Sequence, residues 1–202
     1  ASRQRHVEAV SLLKRALKID PDYAEAHNGL GNSLGAQGRI DQAIDHYRQA
    51  LVSKPDHAPA HYNLGHALRV MGHTKQSLTH FRKLASLEPQ NPEPLNIMAW
   101  LLATDPDVDV RDGPESVELA TRAAELTQYK NAPILDSLAA AYAATGEFDH
   151  AVTTAQKAIA LAASVQASEL AGKIVGRLER YKRAMPYRRP AQEQRTPISG
   201  RG

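Results

Sequence analysis

Residues 24–57 read AEAHNGLGNSLGAQGRIDQAIDHYRQALVSKPDH, and residues 58–91 read APAHYNLGHALRVMGHTKQSLTHFRKLASLEPQN. Laid one over the other, Leu30 meets Leu64, Gly31 meets Gly65, Leu34 meets Leu68, Gly38 meets Gly72, Tyr47 meets Phe81 and Pro55 meets Pro89, always at an interval of 34. Upstream, Pro21 stands 34 before Pro55, and Ala9, Leu13 and Ala16 match Ala43, Tyr47 and Ala50, so the sequence opens in the second half of a repeat. Each recurring residue has a physical task. Gly31 and Gly65 lack a side chain and let two helices approach closely, as do Ala16, Ala43 and Ala50 on the second helix. Leu30, Leu64, Tyr47 and Phe81 fill the space between them. Gly38 and Gly72 suit the left-handed position that ends a helix. Pro21, Pro55 and Pro89 stop the second helix of each pair.

A period of 34 with this distribution of small, aromatic and proline residues resembles the tetratricopeptide repeat family, and the likeness covers residues 6–165. It implies an all-α fold, an α-solenoid of antiparallel helix pairs winding as a superhelix, closed by a C-terminal capping helix. On this reading a repeat domain spans residues 1–184, with a partial repeat at 6–23 and repeats at 24–57, 58–91, 92–131 and 132–165. The fourth repeat carries about five extra residues in the acidic stretch Asp105–Asp112, and its second helix starts at Pro114. The capping helix is expected over 164–184, where Leu170, Ile174, Leu178 and Tyr181 recur at helical spacing. The basic remainder, 185–202, has no apolar periodicity and reads as disordered. Within the family, the stretch from Trp100 through Leu138–Tyr142 to Tyr187 resembles the C-terminal repeats of bacterial multi-repeat proteins. The repeats at 24–91 resemble those of O-linked N-acetylglucosamine transferases.

Composition narrows the classes. There is no cysteine, which removes disulfides, thiolate metal sites and a cysteine nucleophile. The net charge of +3 is unevenly placed: from Lys173 onward the chain carries +7, leaving −4 on residues 1–172. A mildly acidic body argues against nucleic acid as a partner. No apolar run approaches the ~20 residues that span a bilayer, so no direct membrane insertion is expected. The opening Ala1-Ser2-Arg3 reads as a fragment or processed form of something longer, soluble on either side of a bacterial membrane.

The family resemblance implies that first helices line a concave groove. In that geometry the groove residues include Asn28, Asn32, Tyr62, Asn63, His66, Arg69, Asn96 and Trp100. Asparagine amides donate to and accept from a peptide backbone, and Tyr62 and Trp100 offer wide contact area at small entropic cost. Tyr62, Asn63, His66, Asn96 and Trp100 are expected to converge on one patch, with Trp100 open to the groove. The clamp for a C-terminal carboxylate known in this family does not fit. Asn32 and Asn63 hold its amide positions, but Asn28, Glu93 and Ile97 stand where cations are needed.

No phosphate-binding glycine loop is present, and no cofactor is implied. His27 and His61 share one repeat position and His46 and His80 another, a pattern of repeat inheritance and not of metal ligation. The acids of Asp105–Asp112 lack the glycine and glutamate of a calcium loop and read as a solvated insertion. The expected function is a non-catalytic scaffold that binds a peptide or partner protein. One alternative is a substrate-recruiting domain appended to a glycosyltransferase-like or membrane enzyme. Another is self-assembly into a homo-oligomer through Val10, Leu13 and Leu17 at the N-terminal edge.

Overall fold

Glycine at position 31 decides how closely the first two paired helices can lie. A Cβ built there would sit 2.4 Å from Tyr47 Cε1, and one at Gly65 would sit 2.9 Å from Phe81 Cζ. The computed structural model, which describes residues 2–191, is a run of ten helices, with no strand among the described residues. They are α1 (Ser2–Ile19), α2 (Ala24–Ala36), α3 (Ile40–Ser53), α4 (Ala58–Val70), α5 (Thr74–Leu87), α6 (Pro92–Thr104), α7 (Gly113–Leu126), α8 (Ala132–Ala144), α9 (Phe148–Ser164) and α10 (Ser168–Tyr181). The chain divides into two compact units after Glu88, the first holding α1–α5 and the second α6–α10.

In the first unit α2 pairs with α3 and α4 with α5. Buried Ala43, Ile44, Tyr47, Leu64, Ala67 and Leu68 join the two pairs into one apolar core. The helix ends follow the sequence closely. Gly38 and Gly72 adopt φ of 76° and 80°. Beyond them, Arg39 N–H donates to Leu34 O at 3.0 Å and His73 N–H to Leu68 O at 2.9 Å, so carbonyls that the helix cannot satisfy are capped. The shared histidine positions form two equivalent imidazole pairs. His27 Nδ1 lies 3.0 Å from His46 Nδ1 and His61 Nδ1 lies 3.0 Å from His80 Nδ1. The first ring of each pair turns its Nε2 to a backbone carbonyl, Pro21 O at 2.9 Å or Pro55 O at 2.8 Å. That bond makes Nε2 the protonated nitrogen and Nδ1 the acceptor, so the second ring donates. Burial and the neighbouring His61 push the His80 pKa down to about 4.

The second unit packs through small residues: Ala120, Ala123, Ala139, Ala141, Ala151, Ala155, Ala158 and Ala162 are all fully buried. Its insertion is tied down. Asp112 caps α7 by accepting from Glu115 N–H at 2.9 Å, Asp112 N–H donates to Leu102 O at 3.1 Å, and Arg111 reaches Asp105 O at 2.8 Å. The stretch is therefore not simply solvated, since Asp105 is only 3% exposed.

Three boundaries differ from the sequence reading. The first helix begins at Ser2, ahead of residue 6, where the partial repeat is expected to open. The expected capping helix at 164–184 is α10, shortened to Ser168–Tyr181 because α9 runs on to Ser164 before a turn in which Gln166 takes φ of 57°. The expected disorder of 185–202 fails for its described part. Ala184, at φ 53°, turns the chain, and Pro186–Ala191 runs back over α6 as an extended strap held by arginine hydrogen bonds. Residues 192–202 lie outside the described residues.

Candidate functional site

The expected groove residues fall in both units: Asn28, Asn32, Tyr62, Asn63, His66 and Arg69 in the first, Asn96 and Trp100 in the second. On the first unit, neighbouring first helices are linked by amides, with Asn63 Nδ2 donating to Asn28 Oδ1 at 2.9 Å. Tyr62 is half-buried beside this pair, over a shallow concavity of 180 Å³ that it lines with Ala58, Pro59, Asn63, Leu84 and Glu88. The other three residues are more engaged than a groove lining requires. Asn32 accepts the Tyr47 hydroxyl hydrogen at 3.0 Å. The His66 ring lies between Tyr62, at 4.4 Å, and the edge of Phe81, at 5.2 Å. Arg69 Nη2 sits 3.5 Å from His66 Nδ1. Asn32 thus fixes Tyr47, and His66 packs on Tyr62, as much as they present polar groups.

At the N-terminal edge, Val10, Leu13 and Leu17 are half-buried and not openly exposed. A Cβ at Gly29 would lie 3.0 Å from Leu13 Cδ1, so Leu13 already packs on α2. Val10 lines a 420 Å³ cavity with Lys14, Leu30, Leu34 and His46. Among the described side chains of α1, the openly exposed large apolar ones are instead Leu12, at 61%, and Ile19, at 86%.

On the second unit Trp100 is not the open anchor that its repeat position suggests. The Arg177 guanidinium lies over its ring at 5.2 Å, and the Tyr187 ring stands 5.8 Å away. Arg177 also lies 5.5 Å from the Tyr187 ring, so one cation serves two aromatic faces. The same guanidinium makes a buried, two-pronged pair with Asp136, Nε to Oδ1 at 2.8 Å and Nη2 to Oδ2 at 2.5 Å. Burial raises the Asp136 pKa against the pull of Arg177, and burial, with Asp136 adding to it, raises that of the Tyr181 hydroxyl.

The strap completes the arrangement. Helix α6 ends at Asp105 without the left-handed glycine that closes α2, α4 and α8, so its last carbonyls need other donors. Arg188 Nη1 donates to Ala103 O at 2.9 Å and Arg189 N–H to Thr104 O at 2.8 Å. The Arg189 side chain pairs with the buried Asp105 carboxylate. Two cations at a helix C-terminus also complement its dipole. Sequence reasoning missed Asp105, Arg177, Tyr187, Arg188 and Arg189 as parts of this face. The missing glycine after α6 was the one signal pointing to them.

Helix pairs with this packing and these closures define an all-α tetratricopeptide α-solenoid. Family models described as TPR repeat match residues 1–38 and 31–72, and others described as tetratricopeptide repeat match 58–91 and 134–157. The chain is a tetratricopeptide repeat protein. No curated protein matches it in sequence. Among solved structures, a crystal structure of MamA shares 18% identity at a TM-score of 0.70, covering 82% of this chain and 93% of that one. YrrB, described as a TPR protein with an unusual peptide-binding site, shares 21% at 0.69, covering 79% of each. PilF of Pseudomonas aeruginosa shares 18% at 0.61, covering 89% of this chain and 85% of that one. The finer likeness to O-linked N-acetylglucosamine transferases is not carried by these matches. Among the described residues no helix is long and apolar enough to cross a membrane.

Proposed function

We propose that the chain is a non-catalytic scaffold that binds an extended peptide or a segment of a partner protein on the faces of its first helices. The observation that carries this reading is the amide pair of Asn28 and Asn63 beside Tyr62 on the first unit. An extended peptide presents a backbone N–H and C=O at every residue. A row of amides at repeat spacing meets those groups without reading side chains, since each amide keeps both donor and acceptor capacity beyond the bond made here. An aromatic ring over a shallow concavity supplies the anchor. The peptide-binding site named for YrrB lends support by likeness of fold.

The test is selection of peptides from a displayed random library against the purified chain. Asn28→Ala with Asn63→Ala, or Tyr62→Ala alone, should weaken the selected peptides at least ten-fold while leaving the circular dichroism melt within a few degrees. Failure to select any peptide, or peptides indifferent to all three substitutions, contradicts the reading.

A further inference from the structure

The strap shows what the second unit's face accepts. Residues 186–191 have no regular secondary structure. They are held by charge-assisted hydrogen bonds and ring contacts, and Pro186, Tyr187, Arg188 and Arg189 are all only half-buried. The host side is specific in its chemistry. It offers the carbonyl end of α6, with its negative dipole, the buried Asp105 carboxylate, and the Trp100 ring beside Arg177. Carbonyl oxygens and a carboxylate together call for a multivalent planar cation, and arginine meets that geometry where lysine does not. The tryptophan ring calls for an aromatic or proline neighbour. One turn before Trp100, Asn96 Oδ1 is buried with no hydrogen-bond partner among the described residues, so this face has an acceptor that the strap does not use.

We propose that this face of the second unit is a docking site for an extended segment of a partner protein bearing an aromatic residue followed by two arginines, and that the chain's own Tyr187–Arg189 occupies the site in cis and yields to such a segment in trans. The inference rests on the scaffold reading and names the chemistry of one of its ligands. A tethered occupant competes at an effective concentration that reaches the millimolar range for a short link. The cis strap therefore sets a threshold that only a well-matched or locally concentrated segment passes. Asn96 favours a trans segment longer than the strap, because its free acceptor can take a backbone N–H that Tyr187–Arg189 does not supply.

Trp100 is the only tryptophan of the chain, so its emission reports on the site directly. The test uses a peptide of residues 184–191, Ala-Met-Pro-Tyr-Arg-Arg-Pro-Ala, labelled with fluorescein and titrated into the full chain. Arg188→Ser with Arg189→Ser in the full chain should bind it at least ten-fold more tightly than the unaltered chain, with a change in Trp100 emission. Adding Asp105→Asn to that variant should lower the affinity at least ten-fold, and a peptide with both arginines replaced by serine should not bind. If the double variant does not fold, Tyr187→Ala loosens the same strap, and that variant should bind the labelled peptide at least ten-fold more tightly than the unaltered chain, read by fluorescein anisotropy. A folded variant that binds no better than the unaltered chain makes the strap a fixed helix cap and overturns the proposal. Library peptides that bind through Asn28 and Asn63 while this peptide does not would overturn the inference and leave the scaffold reading in place; loss of both would remove both.

Discussion

Replacing Gly31 by alanine adds one methyl group where the structure leaves no room for it. The new Cβ would lie 2.4 Å from Tyr47 Cε1 and 2.7 Å from Cδ1. The ring cannot swing aside cheaply, because Tyr47 is buried in the core that joins α3 to α4 and its hydroxyl is bonded to Asn32. Overpacking of this kind costs about 1–3 kcal/mol, and a clash this short on a pinned ring belongs at the upper end. Alanine regains up to about 1 kcal/mol of helix propensity over glycine, leaving a net loss near ~2 kcal/mol. Gly35, one turn on, is the internal control. Its added Cβ would meet the Tyr47 hydroxyl at 3.6 Å, an ordinary contact, so Gly35→Ala should gain stability by up to ~1 kcal/mol. For a chain of this size the melting temperature should fall by roughly 4–8 °C for Gly31→Ala and rise by roughly 2–4 °C for Gly35→Ala. Thermal and urea melts by circular dichroism read both, and Tyr47→Leu completes a double-mutant cycle. With the ring gone, Gly31→Ala should become neutral or stabilising. An equal loss in both backgrounds would refute the assignment of Gly31 to the contact with Tyr47.

Two further outcomes follow from ionisable pairs. The His80 pKa lies near 4 in the folded chain and near ~6.5 in an unfolded one, so its contribution, up to ~3 kcal/mol, is fully present above about pH 6.5 and is lost as pH falls toward 4. Melts between pH 7.5 and 4.5 should show a smaller acid loss in His80→Gln than in the unaltered chain. Arg177→Met should cost about 3–5 kcal/mol at pH 7 by leaving Asp136 charged and alone in the interior, and part of that loss should be recovered as pH falls, because burial already raises the Asp136 pKa. A difference in melting between Arg177→Met and the unaltered chain that stays the same at every pH would show that Asp136 does not depend on Arg177.

What could be read from one chain was what repeats. The interval of 34 fixed the partners Gly31 and Tyr47, the closures at Gly38 and Gly72, and the stops at Pro21, Pro55 and Pro89, because each is a local or next-neighbour constraint restated between residues 24–57 and 58–91. The shared positions of His27 and His61 were visible, but their pairing with His46 and His80 across 19 residues was not. Least legible was the face around Trp100. Its partners are unique in the chain and distant along it: Arg177 lies 41 residues from Asp136 and Arg189 lies 84 from Asp105. A run such as Tyr187-Arg188-Arg189 has no periodicity, and without the carbonyls of α6 in view it looks the same as a solvated tail. At the N-terminal edge Leu13 has the spacing of an unpartnered stripe, and its packing on α2 at Gly29 was not visible from that spacing.

The central claim, that first-helix faces hold an extended polypeptide, is tested most directly by mapping a library-selected peptide onto the chain through backbone amide chemical shifts. The account expects the perturbed amides to lie on α2 and α4 around Asn28, Tyr62 and Asn63, or on α6 and α8 around Asn96, Trp100 and Asp136. Perturbations gathered on the second helices, α3, α5, α7 and α9, with the first helices unmoved, would contradict it.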